Sequence, residues 1–157
     1  MEKTVYMSQI LPTKYMALDL GDAWIGVAVS DPMGMLARPL ETIRAEDLLT
    51  RLPKLLEQER VGTVVIGRPI TCKGNDSTQT VKIDTLAKQL TELLPEVTWK
   101  SWDERLSSKR AQHVQISQKK KATKETKQQS HAIAAAFILD SFLQYLQIHS
   151  NVFSENE

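Results

Sequence analysis

At 157 residues, with 41% apolar and 25% charged side chains, the chain is sized and composed for one globular domain with a single substantial core. A net charge of +1 excludes a globally basic nucleic-acid binder, so any phosphate-binding footprint has to be local. One cysteine, Cys72, excludes an internal disulfide, and no Cys/His spacing points to zinc.

Residues 1–14 read as an extension. Glu2, Lys3, Ser8 and Gln9 break up any apolar core that a signal peptide needs. A strand is predicted over 15–20, broken at Gly21, and a second over 24–30, bounded by Asp31-Pro32 and Gly34. Residues 36–43 form a third, antiparallel to the second, and Pro39 then has to sit on a sheet edge or at a bulge. A helix over 46–60 carries leucines at 48, 49, 52, 55 and 56 on one broad face, starting near or kinking at Pro53. The Val/Ile run at 63–66 reads as a buried parallel strand, followed by a loop over 68–76. A second helix spans 77–94, with Val81, Leu86, Leu90, Leu93 and Leu94 sharing a face. A strand follows at 97–102, then a short helix from Ser107 or Ser108 to about 117, a basic connector at 119–127 and a final helix from Gln128, opened by His131, to about 149. Residues 150–157 form a polar tail, so the division is an extension (1–14), one domain (15–149) and a tail. The longest apolar run, 132–139, is too short to cross a bilayer, so a cytoplasmic protein with no membrane partner is expected. The order predicts an α/β fold, a mixed sheet with helices packed on it. In such sheets ligands gather at the carboxyl ends of the parallel strands.

Asp19 stands inside the apolar segment Tyr15-Met-Ala-Leu-Asp-Leu-Gly21. Alternation sends Leu18 and Leu20 to one face and Tyr15, Ala17 and Asp19 to the other. A carboxylate in an apolar strand needs a partner, most simply a cation or a set of backbone donors. The cluster Trp102-Asp103-Glu104-Arg105 ends the last predicted strand, and only one of its two adjacent carboxylates can enter a given site. Placed side by side, the ends of the first and last strands bring two carboxylates together. Such a pair repels unless a cation joins it, and hard oxygen donors favour magnesium or manganese. In two-metal sites, ions ~3.5–4 Å apart stabilise both the attacking and the leaving oxygen of a phosphoryl displacement. The stretch Lys119 to Lys127 holds five lysines and one glutamate; it is either a solvated linker or a phosphate-gripping loop whose binding falls with salt. His113 and His149 stand in no constellation. Trp24, Trp99 and Trp102 read as packing residues rather than base-stacking platforms.

In order along the chain, these segments are similar to one family. Leu18-Asp-Leu-Gly with Ile25-Gly-Val-Ala, Ser30-Asp-Pro-Met-Gly, Pro39-Leu-Glu-Thr-Ile, Val65-Ile-Gly-Arg-Pro with Gly74, Trp102-Asp-Glu-Arg-Leu-Ser and Ala134-Ala-Ala-Phe-Ile-Leu together resemble the YqgF/RuvX family. That family is RNase H-like and is described both as Holliday junction resolvases and as pre-16S rRNA nucleases. The resemblance covers residues 15–146. It implies an RNase H-like fold with a mixed five-stranded sheet, and hydrolysis of nucleic-acid phosphodiesters with Mg2+ or Mn2+. It also implies Asp19 and Glu104 as catalytic metal ligands. The family's third acidic residue, at the start of the last helix, is His131 here, which makes His131 the third candidate ligand, one without negative charge. A second departure is Asp22-Ala-Trp24, where the family commonly has Thr/Lys. Arg68, Arg105, Lys119, Lys120, Lys121, Lys124 and Lys127 are the candidate nucleic-acid contacts. The expected activity is a metal-dependent nuclease on structured RNA, in 5′-end maturation of pre-16S rRNA, acting as a monomer or weak homodimer. The alternatives are a Holliday junction resolvase-like endonuclease acting on branched DNA, and a nucleic-acid-binding protein with a degraded metal site.

Overall fold

The computed structural model describes residues 13–68, 78–103 and 124–154. Three strands come first: β1 (Lys14–Leu20), β2 (Trp24–Ser30) and β3 (Ala37–Arg44). A 3-10 turn (Ala45–Asp47) leads into α1 (Leu48–Glu59), then β4 (Val61–Arg68), α2 (Thr78–Leu93), β5 (Thr98–Asp103) and the long α3 (Lys124–Ser154). The strands form one mixed sheet in the order β3-β2-β1-β4-β5. β1 is parallel to β4, and β4 to β5, whereas β2 runs antiparallel to both β1 and β3.

The two-residue period of each strand sorts the core into two layers. On one face Met16, Leu18, Leu20, Ile25, Val27, Val64 and Ile66 meet Leu48, Leu52, Leu55 and Leu56 of α1, and Ile83 and Leu90 of α2. On the other face the small residues Ala17 and Ala28 join Val65 and Trp102 to receive Ala135, Ile138, Leu139, Phe142 and Leu143 of α3. Trp102 meets Phe142 edge-on, with ring centroids 5.4 Å apart, and its indole N–H donates to Ser141 Oγ at 3.2 Å.

Several expectations hold and several are corrected. Pro39 lies in β3, an edge strand, next to a register shift opposite Ala28, where no ladder donor is needed. Pro53 lies within α1, which runs through it rather than starting there. Leu49 is exposed, unlike the other four leucines of that helix. Of the face expected over 77–94, Leu90 and Leu94 are buried and Leu86 packs partly buried against the core, joined by Ile83, whereas Val81 and Leu93 are about half exposed. The final helix begins at Lys124, so Lys124 and Lys127 belong to the helix and not to a connector, and His131 lies seven residues inside it. Residues 150–154 continue that helix instead of forming a tail. Within it, Gln129–Ser150 is long and apolar enough, by length and composition, to cross a membrane. Its apolar side instead packs on the sheet, as the core helix of a globular fold does. The short helix expected at 107–117 lies outside the described residues.

Candidate active site

Alternation places Asp19 on the α3 face of the sheet, one residue from the carboxyl end of β1. In the antiparallel ladder it stands opposite Gly26 of β2. The main chain of α3 rests on Gly26: a Cβ there would fall within contact of the His131 carbonyl group and 2.8 Å from the Ala132 nitrogen. This close approach fixes His131 above the strand pair that holds Asp19. The His131 Nδ1 lies 3.9 Å from Asp19 Oδ2, with the two side chains 35% and 24% exposed. That separation is too long for a hydrogen bond. The two donors therefore converge on a half-buried site without consuming each other.

The turn after β1 closes the site from one side. Gly21 donates its N–H to the Trp24 carbonyl at 3.1 Å. A Cβ at position 21 would meet that same carbonyl oxygen at 2.6 Å and the His131 Cε1 at 3.8 Å. Glycine is required here by the close approach of the Trp24 carbonyl, while the imidazole stands at ordinary contact distance.

The far side of the site is set by β4 and β5. β4 stands between β1 and β5, so the ends of the first and last strands do not meet the condition of side-by-side placement but lie two strands apart. At ~4.8 Å per strand, that is roughly 10 Å across the sheet. Gly67 pairs with Trp102 and Arg68 with Asp103. Trp102 faces α3, the side of Asp19, so Asp103 and Arg68 face the α1/α2 layer. The Arg68 guanidinium there bridges to Asp84 of α2 at 2.8 Å. Among the described residues, Asp19 and His131 are brought together and no cluster of three or more His, Cys, Asp and Glu forms. Glu104, Arg105, Lys119, Lys120 and Lys121 lie outside the described residues, as do the side chains of Lys124 and Lys127. Sequence reasoning missed the role of Gly26. A glycine inside the strand Trp-Ile-Gly-Val-Ala-Val-Ser is the signal that marks the approach of another backbone.

Comparison with solved structures defines the class. The chain superposes on "T. thermophilus RuvC in complex with Holliday junction substrate" with a TM-score of 0.61, at 15% identity, covering 87% of this chain and 96% of that one. A second Thermus thermophilus RuvC structure gives 0.54 at 14% identity, covering 85% and 96%. The fold is RNase H-like, as the mixed five-stranded sheet and its flanking helices require.

The sequence model of the RuvX family, described as Holliday junction resolvase, matches residues 13–145, and the chain belongs to this family of nucleases. Its relatives include proteins named "Putative pre-16S rRNA nuclease". The one from Roseiflexus sp. is 36% identical over 135 residues, 84% of this chain and 94% of that protein. The one from Staphylococcus saprophyticus is 34% identical over 153 residues, covering 88% and 100%. The one from Rubrobacter xylanophilus is 45% identical over 93 residues, covering 59% and 67%.

Proposed function

We propose that this protein is a divalent-metal-dependent nuclease that hydrolyses phosphodiester bonds of RNA in 5′-end maturation of pre-16S rRNA, in the cytoplasm, with residues 15–149 as its one catalytic domain. The observation that carries the reading is the Asp19 carboxylate, held near the carboxyl end of the central strand and 3.9 Å from the His131 ring nitrogen. The names of the curated relatives support the substrate.

The donor set fits a divalent cation. Asp19 offers a hard, anionic oxygen, His131 a neutral nitrogen, and both side chains are open enough to solvent for an ion to enter. Glu104 is proposed as the third ligand. That role is what the family resemblance implies for the residue that follows β5, and Glu104 itself lies outside the described residues. When bound, a divalent cation supplies charge stabilisation for both the attacking water and the departing 3′-oxygen. Asp19 and Glu104 would provide the negative charge that retains it, and His131 would contribute a neutral nitrogen without charge. With two anions where the family pattern has three, weaker magnesium retention and a preference for manganese follow. Arg105 and the lysines from 119 to 127 are proposed to track the phosphate backbone, so binding weakens as salt rises, whereas Arg68, paired with Asp84 on the opposite face, is not assigned this role.

The test is cleavage of a pre-16S rRNA fragment in manganese by the native protein and by Asp19→Asn. Loss of cleavage in the variant, with an unchanged melting temperature, is the expected result; equal cleavage removes Asp19 from the chemistry. A His131→Asp variant should raise activity in magnesium relative to the native chain. The family description favours one further reading, a branched-DNA resolvase. Faster turnover of a four-way DNA junction than of the rRNA precursor would establish it in place of the RNA reading.

A further inference from the structure

Two of the three tryptophans pack as the sequence predicts. Trp102 is 9% exposed in the core under α3, and Trp99 packs on the other layer, with its indole N–H on the Leu94 carbonyl at 3.2 Å. Trp24 does something different. It is half-buried at the first position of β2, paired across the strands with Arg44 at the last position of β3. The Arg44 guanidinium carbon stands over the indole at 5.3 Å from the ring centroid, within cation–π range.

This pair shares a rim of the sheet with the candidate active site. β2 begins where β1 ends, and the Trp24 carbonyl receives the N–H of Gly21, the residue over which the His131 ring lies. Clefts open on both sides of the pair. One, of about 400 Å³, is lined by Trp24, Arg44, Thr50, Arg51 and Lys54 together with Glu41 and Asp47. The other, of about 360 Å³, runs along Asp22, Ala23 and Glu46. Volumes of this order hold a small-molecule-sized group such as a nucleobase. Arg51 is held by both carboxylate oxygens of Glu41, at 2.8 and 3.3 Å, whereas Arg44 is only loosely engaged. Arg44 bridges to Glu46 at 3.2 Å with both side chains more than half exposed, and such surface pairs hold weakly enough to be exchanged for a phosphate.

We propose that Trp24 and Arg44 form a substrate subsite, in which an unpaired nucleobase beside the scissile phosphate stacks on the indole while the Arg44 guanidinium takes the neighbouring phosphate. The assignment deepens the nuclease reading and rests on it for the identity of the substrate. Aromatic side chains stack on any base face, so the subsite favours single-stranded over paired segments without reading their sequence. It also gives a use to a position at which the resemblance, with its Thr/Lys pattern, leads one to expect other residues. The basic group that this turn lacks is supplied from the adjacent strand by Arg44, across the ladder from Trp24.

The experiment measures binding of a labelled, unpaired RNA oligonucleotide by fluorescence anisotropy in EDTA, where cleavage plays no part. Its companion probe carries one abasic site. Stacking on one base is worth enough that Trp24→Ala should weaken binding of the intact oligonucleotide by about tenfold. Trp24→Phe should restore most of that loss, and the preference for the intact over the abasic probe should vanish in Trp24→Ala alone. Arg44→Ala, at an exposed position that does not threaten folding, should weaken both probes alike and flatten the salt dependence. Equal affinity of the native protein and Arg44→Ala, or an unchanged preference against the abasic probe in Trp24→Ala, overturns the subsite. Asp19→Asn separates the two proposals. If it abolishes cleavage while Trp24→Ala binds normally, the nuclease reading stands and the subsite falls. If it cleaves normally while Trp24→Ala loses the base preference, the subsite stands and the proposed catalytic role of Asp19 falls.

Discussion

Replacing Gly26 with alanine probes how the final helix is held on the sheet. The new methyl group enters contact with the His131 carbonyl and lies 2.8 Å from the Ala132 nitrogen, so its three nearest neighbours are all main chain. No side-chain rotation relieves that clash. Carbon–oxygen contacts settle at about 3.3 Å or beyond, so either α3 retreats from β2 or β2 bows away from α3. Retreat loosens Ala132, Ala135, Ile138 and Leu139, all buried along the same side of the helix. Overpacking of a core costs about 1–3 kcal/mol, occasionally more, and unyielding backbone partners put this case at the upper end. A domain of this size loses about 2–4 °C of melting temperature per kcal/mol, so Gly26→Ala should melt roughly 6–12 °C below the native protein. Thermal unfolding followed by far-ultraviolet circular dichroism gives the answer. A variant melting within ~2 °C of the native chain would refute the argument that the helix backbone rests on Gly26.

Leu139→Ala, at a site with no exposed surface in the layer between sheet and α3, should cost about 2–5 kcal/mol in a urea titration. Ile148→Ala, nine residues on along the same helix and 64% exposed, should stay within about 0.5 kcal/mol. The β2–β3 turn predicts an acid response. The Asp31 carboxylate accepts N–H bonds from Leu36, Met35 and Met33 at 2.8, 2.7 and 3.1 Å, and the Leu36 bond foremost holds its pKa below the ordinary 3.8. A depressed carboxylate pKa contributes stability that is complete above the unfolded value and is lost as pH falls through the folded one. Asp31→Asn should therefore melt below the native protein at neutral pH, with the gap closing as acid takes the pH below 3.8. A gap that persists undiminished in acid would show that the carboxylate charge is not what the turn uses.

The strands were the most legible part of the chain. Tyr15 to Leu20 and Trp24 to Ser30 alternate or run apolar over a strand's length, and a turn signal separates them, so local pattern alone places them. Pro39 restricted β3 to an edge for the same local reason. Strand order was not local. Nothing in residues 98–103 says that β4 intervenes between β5 and β1, because sheet order is decided by crossover helices and by which faces they cover. Leu86, Leu90 and Leu94 of the second helical segment pack as expected, but Val81 and Leu93 do not, because apolar residues spread around a helix fit more than one stripe, and the sheet took Ile83 instead. Asp19 announced itself as a charge in an apolar strand. Its companion His131 became visible as a candidate only through resemblance, since the approach between them spans more than a hundred residues. The helix boundary at Lys124 was obscured because a lysine-rich segment reads as a linker and as a solvated first turn with equal ease.

Because α3 touches β2 through main chain at position 131, the location of that residue does not depend on what side chain it carries. The fold thus offers a socket facing Asp19 into which histidine or aspartate fits without rebuilding the scaffold. Changing the plug alters the charge presented beside Asp19 and leaves the architecture alone. Descent within such a family is thereby free to retune the charge beside Asp19 by a single codon, while the glycine beneath has almost no latitude to vary.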